Sequence, residues 1–118
     1  MTTCHDLTEI SAAISALSAS DVAKEKASNF AKRLVSYGVP SVNVAGIRTK
    51  SRSELPATPD SGVMLRYEGE HCLAFYMADD DGDVSFSIET RHDNGHDECL
   101  EVDPKRYGLI AAMLLART

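Results

Sequence analysis

The chain has 118 residues, 43% of them apolar and 25% charged, with three Phe, four Tyr, no Trp and a net charge of −6. Such a length forms one domain, 1–118, that buries a core without staples, and the composition excludes wholesale disorder. With so few rings, the core is expected to lean on Leu, Ile, Val, Ala and Met.

Ile10, Ala13, Ile14 and Leu17 recur at helical spacing, with Asp6 or Thr8 as the cap. Ser18, Ser20 and Asp21 then offer a break and a fresh N-cap, because their side-chain oxygens accept from free backbone N–H groups. A second helix with Val22, Ala27, Phe30, Ala31 and Leu34 on its buried stripe ends at Gly38 and Pro40. The helical region 6–37 is therefore a hairpin or one long helix. Val42, Val44 and Ile47 suggest a short edge strand over 41–47, and 48–61 reads as an exposed loop. A four-strand meander fills 62–102, with approximate strands Gly62–Tyr67, His71–Ala78, Asp83–His92 and His96–Val102. The intervening turns are rich in Gly, Asn and Asp, which tolerate positive φ. Asp103-Pro104 starts a last helix over 104–117, with Asp as cap and Pro at the first helical position. The fold class is α+β: an N-terminal helix or helical hairpin, a four- to five-stranded antiparallel meander and a C-terminal helix, with the helices on one sheet face.

Registers follow from the requirement that apolar residues share a face, since a one-residue slip inverts every side chain. A four-residue loop at 79–82 pairs Met77 with Val84, Phe75 with Phe86 and Leu73 with Ile88. Three-residue loops at 93–95 and 68–70 pair Ile88 with Leu100, Phe86 with Val102, and Leu65 with Leu73. The opposite face then carries Arg66, Cys72, Ala74, Tyr76, Ser85, Ser87, Glu89, Arg91, Cys99 and Glu101, centred on Tyr76. Cys72 and Cys99 flank Glu89 there, about 9.6 Å apart and beyond disulfide reach.

Charge is sorted by position. Residues 68–103 hold twelve acids against the single base Arg91, a local charge of −11. Such a field repels nucleic acid and membrane surfaces and attracts basic protein surfaces or cations. The Asp79–Asp83 run does not fit an EF-hand loop, because Val84 and Thr90 stand where Gly and a bidentate Glu are required. It reads as a solvated hairpin turn that can dock on a basic partner.

Under the inferred registers His71, Thr90, His92, His96 and Glu98 share the apolar face at one end of the sheet. They form either a polar rim to the core or a site for Zn²⁺ or a similar ion. Arg48, Lys50 and Arg52 alternate without aromatics and read as solvated loop. Phosphate loops, HExxH helices, GxSxG elbows and Cys–His nucleophile spacings are missing, which disfavours the common enzyme classes. From Tyr107 through Ala116 the last helix has no charged residue, suggesting a homodimer seam or a groove for a partner peptide.

Cys4, Cys72 and Cys99 are odd in number and lack CxxC spacing, pointing to reduced thiols in the cytoplasm. No signal peptide is evident, and the longest apolar run, Leu109–Ala116, falls short of the about 20 residues of a membrane span.

The expected function is that of a non-enzymatic, acidic protein-binding module without cofactor. It would occupy a basic surface of a larger partner, itself a candidate nucleic-acid-handling protein, through Asp79, Asp80, Asp81, Asp83, Tyr76, Glu89 and Glu101. In size and charge it is similar to small acidic inhibitors of bacteria and phages (anti-defence proteins) and to immunity proteins that neutralise toxic nucleases. In size, acidity and α+β build it also resembles type III secretion chaperones, which implies a dimer binding an extended client segment. The third reading is a metal-binding protein or enzyme built on His71, His92 and His96.

Overall fold

The structure, a computed structural model, describes residues 1–47, 61–91 and 97–116. Its elements in order are β1 (Thr2–Cys4), α1 (Leu7–Ser15), α2 (Asp21–Ser36), β2 (Val42–Gly46), β3 (Gly62–Glu68), β4 (Cys72–Asp79), β5 (Val84–Arg91), β6 (Asp97–Val102) and α3 (Tyr107–Ala116). The strands form one antiparallel sheet in strict chain order, β1 to β6. The α+β fold and its antiparallel meander are those expected, with β1 added at the edge beside β2.

Local chemistry explains the two-helix hairpin. The Asp6 carboxylate accepts from the Glu9 N–H at 2.8 Å, while Glu9 reaches back to the His5 N–H at 3.1 Å. Two orphan donors at the start of α1 are thereby satisfied reciprocally. Ser20 caps α2 by accepting from the Ala23 N–H at 3.2 Å. At its far end Gly38 has φ +94°, and the N–H groups of Gly38 and Val39 donate to the carbonyls of Val35 and Leu34. This double bond pattern closes the helix on its last free carbonyls.

The helices gather on one sheet face around Phe30, which is 2% exposed. Its ring stacks on Tyr76 at 4.0 Å and meets Tyr67, Phe86 and Tyr107 at 6.1, 5.8 and 5.9 Å. This ring cluster sits inside a core that otherwise consists mostly of Leu, Ile, Val and Ala, as composition suggested. Ala23, Ala27 and Ala31 of α2, with Ala74 and Ala78 of β4, are fully buried and let helix and sheet approach closely. Ile10, Ile14, Cys4, Val42 and Val44 extend the core beneath α1.

The β5–β6 register is the expected one, with Phe86 opposite Val102 and Ile88 opposite Leu100. The registers on either side of β4 differ. Tyr76, rather than Phe75, faces Phe86, and Ala78, rather than Met77, faces Val84. The turn explains the slip. The Asp79 N–H donates to Asp83 O, Gly82 takes φ +91°, and the Asp79 carboxylate accepts from the N–H groups of Asp81 and Asp83. That is a three-residue hairpin loop with a left-handed glycine, one residue shorter than expected. At the other end, Glu68 faces Leu73 and Leu65 faces Tyr76, so Leu65 and Leu73 are not partners. The tight turn there is closed by the Gly69 N–H on Cys72 O.

The last helix begins at Tyr107 rather than 104. Asp103 accepts from the Lys105 N–H with its carboxylate and from the Arg106 N–H with its carbonyl, closing a separate turn before the helix. The expected loop 48–61 lies outside the described residues, except for Ser61.

Candidate protein-binding surface

With Tyr76 turned to the helices, β4 presents Leu73, Phe75 and Met77 to the opposite, open side. The cross-strand registers define that face row by row. One row runs Ala45, Met64, Met77, Ser85; the next runs Thr3, Asn43, Arg66, Phe75, Ser87, Glu101; the third runs Glu68, Leu73, Glu89, Cys99. Large apolar side chains come from β4, as Leu73, Phe75 and Met77, and from Met64 of β3, while Arg66 and Glu68 of β3 and most residues of the flanking strands are polar. Met77 is 39% exposed, Phe75 and Met64 are half-buried, and Leu73 is shielded by its neighbours. A one-sided antiparallel sheet normally turns polar residues to water, so this apolar centre is the unusual feature.

Arg66 crosses the face beside it. Its Nη2 lies 3.5 Å from the Glu68 carboxylate and its Nη1 lies 3.9 Å from Met1 Sδ, while its Nε is covered and has no hydrogen-bond partner.

The expected surface residues separate into two groups. Glu89 and Glu101 lie on the open face, as do Arg66, Ser85, Ser87 and Cys99. Tyr76 does not: it is 3% exposed, stacked under Phe30, and donates from its hydroxyl to Lys26 O at 3.3 Å. Cys72 and Ala74 are likewise buried on the helix side, so Cys72 faces Thr90 rather than flanking Glu89. The loop slip moves all three together. Leu73, Phe75 and Met77 are the surface residues that sequence reasoning missed.

The acidic turn also divides. Asp79 is committed to the turn, and the Asp80 carboxylate accepts from the Ser20 N–H at 2.8 Å, anchoring the turn to the start of α2. The Ser20 hydroxyl donates to Asp80 O at 3.3 Å. Among the described residues, the carboxylates of Asp81 and Asp83 have no such partner, and both residues are exposed.

The histidine cluster is not assembled among the described residues. His71 is exposed in the β3–β4 turn beside Glu70, 4.0 Å away, and His92 and His96 lie outside the described residues. Thr90 and Glu98 are cross-strand partners, as the register required. The described residues contain no group of three His, Cys, Asp or Glu placed to hold a metal ion. Cys4, Cys72 and Cys99 are free thiols, and burial, together with Glu9 and Asp6, pushes the Cys4 pKa up.

A hollow of about 200 Å³ lies between the β3–β4 turn, the α2–β2 connection and α3, lined by Val39, Pro40, Tyr67, Leu114 and others. The Tyr67 hydroxyl is buried without a hydrogen-bond partner, and burial, followed by the nearby Tyr76, raises its pKa far above the ordinary tyrosine range. A buried unsatisfied hydroxyl costs about 1–3 kcal/mol, so Tyr67→Phe is expected to raise stability by about 1 kcal/mol in urea unfolding. A loss of stability would mean that the hydroxyl is satisfied. On α3, Ile110, Ala111 and Leu114 face the core, while Leu109 and Leu115 are 41% and 50% exposed. Among the described residues no helix is long and apolar enough to cross a membrane.

In comparisons with protein-family models, curated proteins and solved structures, nothing matches the chain at a level that establishes a relationship.

Proposed function

We propose that the chain is a non-enzymatic binding module that sets its open sheet face and acidic hairpin end against a basic surface of a larger protein, inhibiting or neutralising it. The observation that carries this reading is the helix-free sheet face, apolar at Met64, Leu73, Phe75 and Met77 and bordered by Glu68, Glu89 and Glu101. An apolar centre inside a polar rim is the usual anatomy of a protein interface. The face is a broad sheet surface, which suits a protein better than a small molecule. Five strands of about seven residues give on the order of 550 Å². A standard interface buries about 800 Å² per partner, so the contact is expected to extend over the hairpin end with Asp81 and Asp83. Their role there is to speed encounter with positive charge. Proteins that handle nucleic acid carry such basic surfaces because they must hold phosphates.

The test is capture from nuclease-treated native lysate at low and high salt, using the wild-type chain, Met77→Asp, and the Asp81→Asn/Asp83→Asn pair. One stoichiometric partner, released by salt and lost with Met77→Asp, is the expected result. With that partner purified, the paired Asn variant should associate several-fold more slowly at low salt, a difference that closes as salt rises. Capture that survives Met77→Asp, or association indifferent to the two carboxylates, would overturn the reading. Asp79 and Asp80 are unsuitable for this series because their carboxylates hold the turn.

A further inference from the structure

The helix side of this acidic protein carries a cleft of the opposite sign. One hollow, of about 550 Å³, is lined by Asn29, Lys32, Arg33, Ser36 and Tyr107. A second, of about 160 Å³, shares Asn29 and Tyr107 with it and adds Lys26 and Lys105. Four cations therefore line two adjoining hollows whose linings contain no acid, although Lys26 also reaches the acidic turn, its Cε 3.5 Å from where a Cβ on Gly82 would stand. Among the described residues none of the four forms an ion pair. Glu25, one turn before Asn29 on α2, lines neither hollow.

Two features make this more than scattered surface lysines. The Arg33 guanidinium sits 5.6 Å from the centroid of the Tyr107 ring. A cation held on an aromatic face is pre-positioned, and its planar fork suits phosphate oxygens. Tyr107 is also the first residue of α3, which has no acid in its first turn and is preceded directly by Lys105 and Arg106. Bases at that end oppose the helix dipole, whose positive end favours anions. Asp103, two residues before Lys105, already spends its carboxylate on the Lys105 N–H. The unfavourable dipole contact falls on Lys105 and Arg106, whereas Arg33, in the last turn of α2, is favoured by that helix's negative end.

We propose that this cleft binds a phosphorylated small molecule with more than one anionic group. Lys32 and Arg33 would hold one end and Lys26 and Lys105 the other, with Asn29 donating between them. Six to seven residues along α2 separate the two ends, about 10 Å at 1.5 Å per residue. The cations and the side-chain amide supply donors to several oxygens at once, which phosphate uses more fully than a carboxylate does. The cleft lies on the helix side, away from the open sheet face, and meets the acidic hairpin at Lys26 and Val84.

The experiment is a ¹H–¹⁵N NMR titration of the full chain at low salt with pyrophosphate and with ADP, against sodium chloride of matched ionic strength. Saturable shifts are expected at Asn29–Ser36 and Lys105–Gly108 with either phosphate probe and not with chloride. Lys32→Gln/Arg33→Gln should weaken binding by about tenfold or more, the loss of two charge-assisted contacts. Lys26→Gln/Lys105→Gln should weaken it at the other end of the cleft. All four residues are exposed, so the folded spectrum should persist elsewhere. Drift without saturation, equal shifts with chloride, or binding unchanged in both double variants would overturn the proposal. So would a single-stranded oligonucleotide that binds the cleft more tightly than ADP.

Discussion

Replacing Phe30 by Ala is expected to lower the unfolding free energy by about 3–5 kcal/mol. Four rings from β3, β4, β5 and α3 meet this one side chain. Removing it deletes the buried ring and opens a gap between helix and sheet that alanine neighbours cannot fill. A domain of ordinary stability has about 5–15 kcal/mol to lose, so the variant should be marginal. Urea unfolding followed by far-UV circular dichroism measures the difference. A loss below about 1 kcal/mol would mean that the neighbouring rings close over the gap and that Phe30 is not the centre of the core.

A second large effect is expected at Gly62, where β3 begins opposite Asp79. A Cβ at this position would run into the carbonyl oxygen of Ala78 and, at 2.8 Å, the Cα of Asp79. Both are backbone atoms of the neighbouring strand, which cannot rotate aside as a side chain can. Gly62→Ala is therefore expected to cost about 3 kcal/mol, the upper end of the overpacking range. Amide shifts concentrated at the start of β3 and the end of β4 should accompany the loss in urea midpoint. Unchanged stability would show that the strands separate there at little cost.

Parts of this architecture were legible because one chemical choice excluded the others. Asp6, Ser20 and Gly38 are cap residues at three of the helix ends, and the helices begin and stop there. On β5, Phe86 and Ile88 alternate with Ser85, Ser87 and Glu89, so only one register with β6 put the apolar residues of both strands on the helix side, where Leu100 is still 54% exposed. β4 offered no such asymmetry. Leu73, Phe75 and Met77 on one face compete with Cys72, Ala74, Tyr76 and Ala78 on the other, and both sets are apolar. The set of three large apolar side chains looked like the core. What decided against it was the shape of α2: its buried alanines need small partners, and Phe30 needs the flat ring of Tyr76. Neither requirement is visible along one strand.

The candidate surface inherits that error and its correction. Its acidic margin, Glu89, Glu101 and the Asp79–Asp83 turn, could be placed because the alternation on β5 was unambiguous and the turn's position, though not its length, was legible. Its apolar centre could not, since the inverted β4 assigned Tyr76 to the position that Phe75 and Met77 occupy. β1 escaped notice because three residues, Thr2–Cys4, carry no measurable alternation. The expected effect of His92 and His96 on metal binding rests on residues outside those described.

The strict chain order of the sheet sets the order in which the sheet can assemble. From β3 to β5, each strand reaches its neighbour through a short turn, so those pairings close cheaply and locally. β1 is different: its single neighbour is β2, and Thr2 pairs with Val44 across both α1 and α2. Closing a loop of that size costs on the order of 3 kcal/mol in chain entropy, and three residues return few hydrogen bonds against it. The N-terminal edge is thus expected to pair last, although Cys4 is then fully buried in the core. Its opening and closing would report on whether the α1–α2 hairpin has docked.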